Sequence, residues 1–124
     1  MQPNPRPVYL NLLRIYLPLA GWVSVLHRAT GALLFLALPL AVWGLSVSLS
    51  GADGFRRMAD CFDLPLARLV LLLMIWALAH HGFAGLRHLA LDLHWGLGCA
   101  RQTSIAVLLA AAAVTLFAAW RLFA

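Results

Sequence analysis

His81, Gly85, His88 and Asp92 stand at i, i+4, i+7 and i+11 in the stretch HGFAGLRHLALD, residues 81–92. On a helix of about 3.6 residues per turn the last three fall within about 40° of His81, and the stripe runs roughly 16 Å. Two imidazoles and a carboxylate on one face, with a glycine among them, suit two kinds of use. A neutral imidazole ligates haem iron, and Gly82, Ala84 and Gly85 leave room beside His81 for a flat macrocycle. Alternatively, His81 makes one hydrogen bond to a neighbouring helix and serves packing alone. His80 and Arg87 lie off the stripe, on an adjoining side. His80 competes with its neighbour as a ligand, but only His81 shares a face with Gly85. His94 follows the stripe and reads as a loop residue.

A second cluster lies in WVSVLHRATG, residues 22–31. Ser24, His27 and Arg28 stand at i, i+3 and i+4 and share a face. The plain reading is an arginine that snorkels to lipid phosphates. The alternative is a guanidinium paired with a carboxylate, such as a haem propionate. A quinone carbonyl is a further acceptor, to which Ser24 could donate while Arg28 polarises it. An aspartate near this arginine, such as Asp92, could orient it or relay protons.

The composition says what must position these groups. Of 124 residues, 64% are hydrophobic and 10% charged, against about 25% charged in a soluble domain. Stretches 29–52, 69–86 and 102–120 carry no Asp, Glu, Lys or Arg. Each approaches or exceeds the roughly 18–20 residues that cross a hydrocarbon core as a helix. In lipid the backbone must satisfy its own hydrogen bonds, which leaves helix for spans this long.

The expectation is an all-α membrane protein with a single transmembrane domain over residues 1–124. An N-terminal cytoplasmic or interfacial arm, 1–21, precedes three transmembrane helices at about 22–50, 64–92 and 102–123. The shorter uncharged stretch 15–27, with Pro18 and Gly21, reads as an interfacial lead into the first span. The opening MQPNPRP has no secretory signal pattern, so the first span is expected to be retained. Short connections then put the start of the first helix and the end of the second on one membrane face, where Arg28 and Asp92 can meet.

All nine basic residues are arginine, and the formal net charge is +5. A basic balance can serve nucleic acid, but in a three-span chain it suits headgroups, topology and anionic cofactor groups. Lipid is therefore the expected partner, and nucleic acid is not. With the N-terminus in the cytoplasm, Arg6, Arg14, Arg28, Arg87 and Arg101 lie inside, and Arg56, Arg57, Arg68 and Arg121 outside. Five against four is a weak orientation signal. Cys61 and Cys99 fall on opposite faces, which excludes a disulfide between them, and their spacing suggests no zinc site.

The pairing of S-x-x-H-R-x-[ST]-G with H-x-x-x-G-x-R-H-x-x-x-D resembles the cytochrome b556 subunits of bacterial succinate dehydrogenase, respiratory complex II. Here the motifs read SVLHRATG, residues 24–31, and HGFAGLRHLALD, residues 81–92. RPVYLNLLRIYLP, residues 6–18, is similar to the family's N-terminal arm. The motifs cover about a third of the chain.

The resemblance implies three transmembrane helices packed with a second hydrophobic anchor subunit. It implies one haem b held between the two subunits, with His81 as this chain's axial ligand to iron. His27 and Arg28 would lie near the propionates. Ser24 and Arg28 would line the ubiquinone pocket, with Asp92 close to it and His88 facing the same region. It further implies a flavoprotein subunit that oxidises succinate and an iron–sulfur subunit that passes electrons to ubiquinone. This chain would hold neither flavin nor cluster, since its two cysteines are too few for a four-cysteine cluster. The implied location is the bacterial inner membrane, with the N-terminus in the cytoplasm. One departure is Val8, Tyr9 and Leu10, where many relatives carry Ser-Pro-His after the first Arg-Pro.

Other readings remain on the residues alone. They are a fumarate reductase anchor, another b-type cytochrome such as the b561 kind, a haem-free structural anchor, and a small transporter. Two haems held by one chain would need four histidines in ligand pairs, but four of the five crowd one helix end. A transporter would place polar residues at mid-span in several helices, and the last span offers only Thr115.

Overall fold

The computed structural model describes residues 16–124, so most of the N-terminal arm lies outside the described residues. Four α-helices follow in order: α1, Leu19–Leu49; α2, Ala52–Asp63; α3, Pro65–Asp92; and α4, Ala100–Phe123. A short 3-10 turn, Leu97–Cys99, leads into α4. Helices α1 and α3 and the stretch Leu97–Phe123 are each long and apolar enough to cross a membrane. The chain is an all-α membrane protein.

Helix α1 starts immediately after Pro18, whose carbonyl accepts from the Gly21 and Trp22 amides at 2.8 and 3.2 Å. A proline is tolerated there because it has no amide to leave unpaired inside a helix. The stretch expected to lie at the interface is thus, from residue 19, the first turns of the spanning helix itself. Its 31 residues extend about 46 Å, well beyond a hydrocarbon core of ~30 Å. The surplus lets one helix carry Ser24, His27 and Arg28 at a membrane face and still cross.

The segment between the first two spans folds as α2. Its charges at 53, 56, 57, 60 and 63 leave Phe55, Met58 and Phe62 together at i, i+3 and i+7, the pattern of a helix lying in the interfacial plane. Gly54 is buried against the end of α1, where a Cβ would overlap the Val47 carbonyl and the Ser50 hydroxyl. Arg68, at the start of α3, donates to Asp63 Oδ1 at 2.8 Å and to the Leu122 carbonyl at 3.1 Å. It ties α2, α3 and the end of α4 together.

Helix α3 is central and packs on both α1 and α4. Its buried residues are Ala77, His80, Ala84 and Arg87, at i, i+3, i+7 and i+10. Opposite them lie Val23 and Thr30 of α1 and Ser104, Val107 and Ala111 of α4. Most are small, which suits helices that must pack closely without a hydrophobic drive from water.

Helix α3 ends in a Schellman turn. The His94 amide reaches the Leu91 carbonyl at 2.9 Å, and the Trp95 amide reaches that of Ala90 at 2.9 Å. His94 takes the left-handed position with φ 62°, where a side chain costs roughly 1–2 kcal/mol and glycine is favoured. We therefore expect His94→Gly to raise stability by about 1 kcal/mol, read as a higher thermal midpoint of the detergent-solubilised complex. A lower midpoint would mean that the imidazole itself is engaged.

Candidate functional site

Three imidazoles meet between α1 and the exposed edge of α3. The His27 and His81 rings stack with centroids 4.3 Å apart and planes 13° from parallel. His88 tilts against the other side of the cluster, 5.1 Å from His27 at 52°. All three are half-buried. They do not converge on a point: no three His, Cys or Asp side chains among the described residues are placed to hold an ion.

His81 Nδ1 lies 3.1 Å from the His27 carbonyl. A carbonyl only accepts, so this contact requires Nδ1 to carry the proton. In the neutral ring the lone pair is then on Nε2, the nitrogen that faces away from the tether. A histidine poised for iron has this arrangement, with one nitrogen fixed by a carbonyl and the other basic.

Two glycines make the arrangement possible. A Cβ on Gly31 would lie 2.8 Å from His81 Cε1, closer than real atoms approach. One on Gly85 would lie 3.3 Å from His27 Nε2. The helix faces are therefore shaped to take the two imidazole rings between them, and the Nε2 donor of His81 fits the iron of a b-type haem. Thr30 adds a bond from its hydroxyl to the same His27 carbonyl, at 3.0 Å.

The remaining expected residues fall around this cluster. Ser24 is half-buried one turn before His27, while Arg28 and Asp92 are exposed. Asp92 ends α3, whereas Arg28 lies in the third turn of α1, and the two do not pair. The ion pairs among the described residues are Asp53–Arg56 and Asp63–Arg68.

His80, the rival ligand, points the other way. It is fully buried inside the three-helix packing and stacks on Trp76, with centroids 5.7 Å apart. Neither of its ring nitrogens has a hydrogen-bond partner among the described residues. A ring enclosed by its own bundle has no open side for a macrocycle shared with another chain. Arg87, also set aside by the stripe, is buried at 8% exposure. Its Nε donates to Thr103 Oγ1 at 3.0 Å and its Nη2 to the Ala100 carbonyl at 3.2 Å. The sequence signal for this inner face was present in Ala77 and Ala84, small residues at helical spacing around His80 and Arg87.

A multi-pass helical membrane protein with an imidazole cluster at one face of its bundle is the class these features define. Residues 2–119 match the family described as succinate dehydrogenase/fumarate reductase transmembrane subunit. The succinate dehydrogenase cytochrome b556 subunit of Coxiella burnetii is 35% identical over 89 residues, 71% of either chain. That of Paracoccus denitrificans is 34% identical over 92 residues, covering 74% of this chain and 71% of the relative. That of Rickettsia felis is 30% identical over 93 residues, covering 75% and 72%. The chain belongs to the succinate dehydrogenase/fumarate reductase transmembrane subunit family.

An unsatisfied buried imidazole costs stability that an apolar ring of similar shape would not. We expect His80→Phe to match or exceed the wild-type thermal midpoint of the solubilised complex. His80→Ala should lower it by leaving a cavity, at about 1–3 kcal/mol. Equal losses in both variants would show that the His80 nitrogens are engaged in the assembled protein.

Proposed function

We propose that this chain is the membrane anchor and haem b subunit of a bacterial succinate:ubiquinone oxidoreductase, a single transmembrane unit over residues 1–124. The observation that carries the reading is the His81 ring, tethered through Nδ1 to the His27 carbonyl with Nε2 left for iron. His81 is the proposed axial ligand. His27 and His88 flank the site, and Arg28 offers its charge to the propionates. A second hydrophobic anchor subunit supplies the other axial ligand. Haem, when bound, supplies a one-electron centre between the soluble subunits and the membrane.

The tasks of this chain's own residues follow from their chemistry. Ser24 donates a hydrogen bond that orients a ubiquinone carbonyl. Arg28 stabilises negative charge developing on the quinone oxygen, as fixed donors do in a low-dielectric site. Asp92 and His88 deliver protons from the aqueous face, since quinone reduction consumes two electrons and two protons. The proposed setting is the bacterial inner membrane with the N-terminus in the cytoplasm. There an iron–sulfur subunit and a flavoprotein subunit dock against the face that carries Ser24, Arg28 and Asp92. The names of the relatives and the paired motifs support this assembly.

The test is an optical difference spectrum of the detergent-extracted complex, reduced first with succinate and then with dithionite. We expect a low-spin b-type spectrum, part of it reduced by succinate. His81→Ala should weaken or abolish it, and His80→Ala should spare it. The reverse pattern would overturn the ligand assignment. For the quinone site, Ser24→Ala and Arg28→Leu should each slow succinate-driven quinone reduction by roughly tenfold or more. Reduction of an artificial dye should change little. Equal loss in both assays would mean failed assembly instead of a damaged quinone site.

A further inference from the structure

Arg87 is a buried cation without a counter-charge. It is only 8% exposed, and both of its hydrogen bonds go to neutral oxygens, Thr103 Oγ1 and the Ala100 carbonyl. The chain has four acidic side chains, Asp53, Asp60, Asp63 and Asp92, all among the described residues. The ion pairs they make there are to Arg56 and Arg68. A charge withdrawn from water is normally paired, so Arg87 calls for an anion that this chain does not supply.

The surroundings say which kind. Arg87 and Thr103 line a cavity of about 290 Å³ between α3 and α4. Its other walls are apolar, among them Phe83, Leu86, Ala106 and Ala110. Trp95, at its rim, is 72% exposed, where an indole sits at the headgroup level. Helix α4 begins beside it with no acidic residue in its first turn and no side-chain cap. Its positive end is thus also unanswered. Arg87 lies a turn and a half below the end of α3, and its guanidinium reaches up to that first turn of α4. One end of the cavity is therefore cationic and interfacial, and the remainder is apolar and runs along the spanning parts of α3 and α4.

We propose that Arg87 and the α3–α4 groove hold a membrane phospholipid, with its phosphate on the guanidinium and an acyl chain along Phe83, Leu86, Ala106 and Ala110. The remaining N–H groups of the guanidinium suit two phosphate oxygens. The bound lipid neutralises the buried charge and fills the groove, so it stays with the protein when bulk lipid is removed. The site lies on the α4 side of α3, away from the imidazole cluster, and does not depend on the haem reading.

The test is phospholipid retained per complex, measured by mass spectrometry after exhaustive washing of the intact complex in lipid-free detergent. Wild type is compared with Arg87→Gln, which removes the charge, and with Ala106→Phe, which fills the groove from its exposed side and leaves Arg87 alone. We expect wild type to retain one phospholipid per copy of this chain that both variants lose, and excess inorganic phosphate not to displace it. Equal retention in all three proteins would overturn the proposal. So would loss in Arg87→Gln alone, because Arg87 would then act only on the fold. Displacement by inorganic phosphate would show an aqueous anion site. Absence of retained lipid from wild type would give the counter-charge to a neighbouring subunit. Either result would also overturn the proposal.

Discussion

The hydrogen bond from the His81 ring to the His27 carbonyl, across 3.1 Å, is the contact on which the arrangement of the site depends. Inside a bilayer no water competes for either group, so a polar contact between helices keeps the partner it is given. The bond sets the register of α1 against α3, because ring and carbonyl meet only when Gly31 is level with His81. It also sets the tautomer, because a carbonyl cannot donate. Packing geometry thereby decides which nitrogen is basic, and one main-chain oxygen serves both the fold and the chemistry.

Helix α3 divides its work between two faces about 100° apart. Ala77, His80, Ala84 and Arg87 turn inward and hold α1 and α4. His81, Gly85 and His88 turn toward α1 and the open edge, and Asp92 closes the same stripe at the helix end. The adjacent His80 and His81 illustrate the division. One is enclosed beside Trp76, and the other is stacked on His27 at the half-exposed edge of the bundle. A rotation of α3 by one residue would put His80 where His81 now stands and Arg87 in the place of His88. The small residues on the inner face and the glycines on α1 and α3 oppose that rotation, since each matches a bulky group across the helix contact.

The charge-free stretches made the three spans legible, because an ionised group near the bilayer centre costs several kcal/mol. The stripe from His81 to Asp92 was legible for a related reason: helical spacing alone brings those residues to one face. Helix α2 was not. Its many charges look like a loop when read for span-breaking, although the same charges at helical spacing describe an interfacial helix. The inner role of Arg87 was hidden too. It depends on how α4 rotates against α3, and α4 is alanine-rich all round, with no periodic stripe to fix that rotation from sequence. The Schellman turn through His94 was equally hidden, since the left-handed position there is filled by a residue other than glycine.

The placement of acids completes the electrostatic picture. Three of the four aspartates, Asp53, Asp60 and Asp63, lie on α2, where two of them pair with Arg56 and Arg68. The opposite end of the bundle carries Arg28, Arg87 and Arg101 against Asp92 alone, which makes no ion pair among the described residues. One membrane face is thus largely self-neutralised, and the other is left with an excess of positive charge. In a low-dielectric setting such an excess is tolerated when ligands bring the anions. That end of the bundle is therefore suited to anionic groups, which is the charge complementarity behind the proposed haem, quinone and lipid sites.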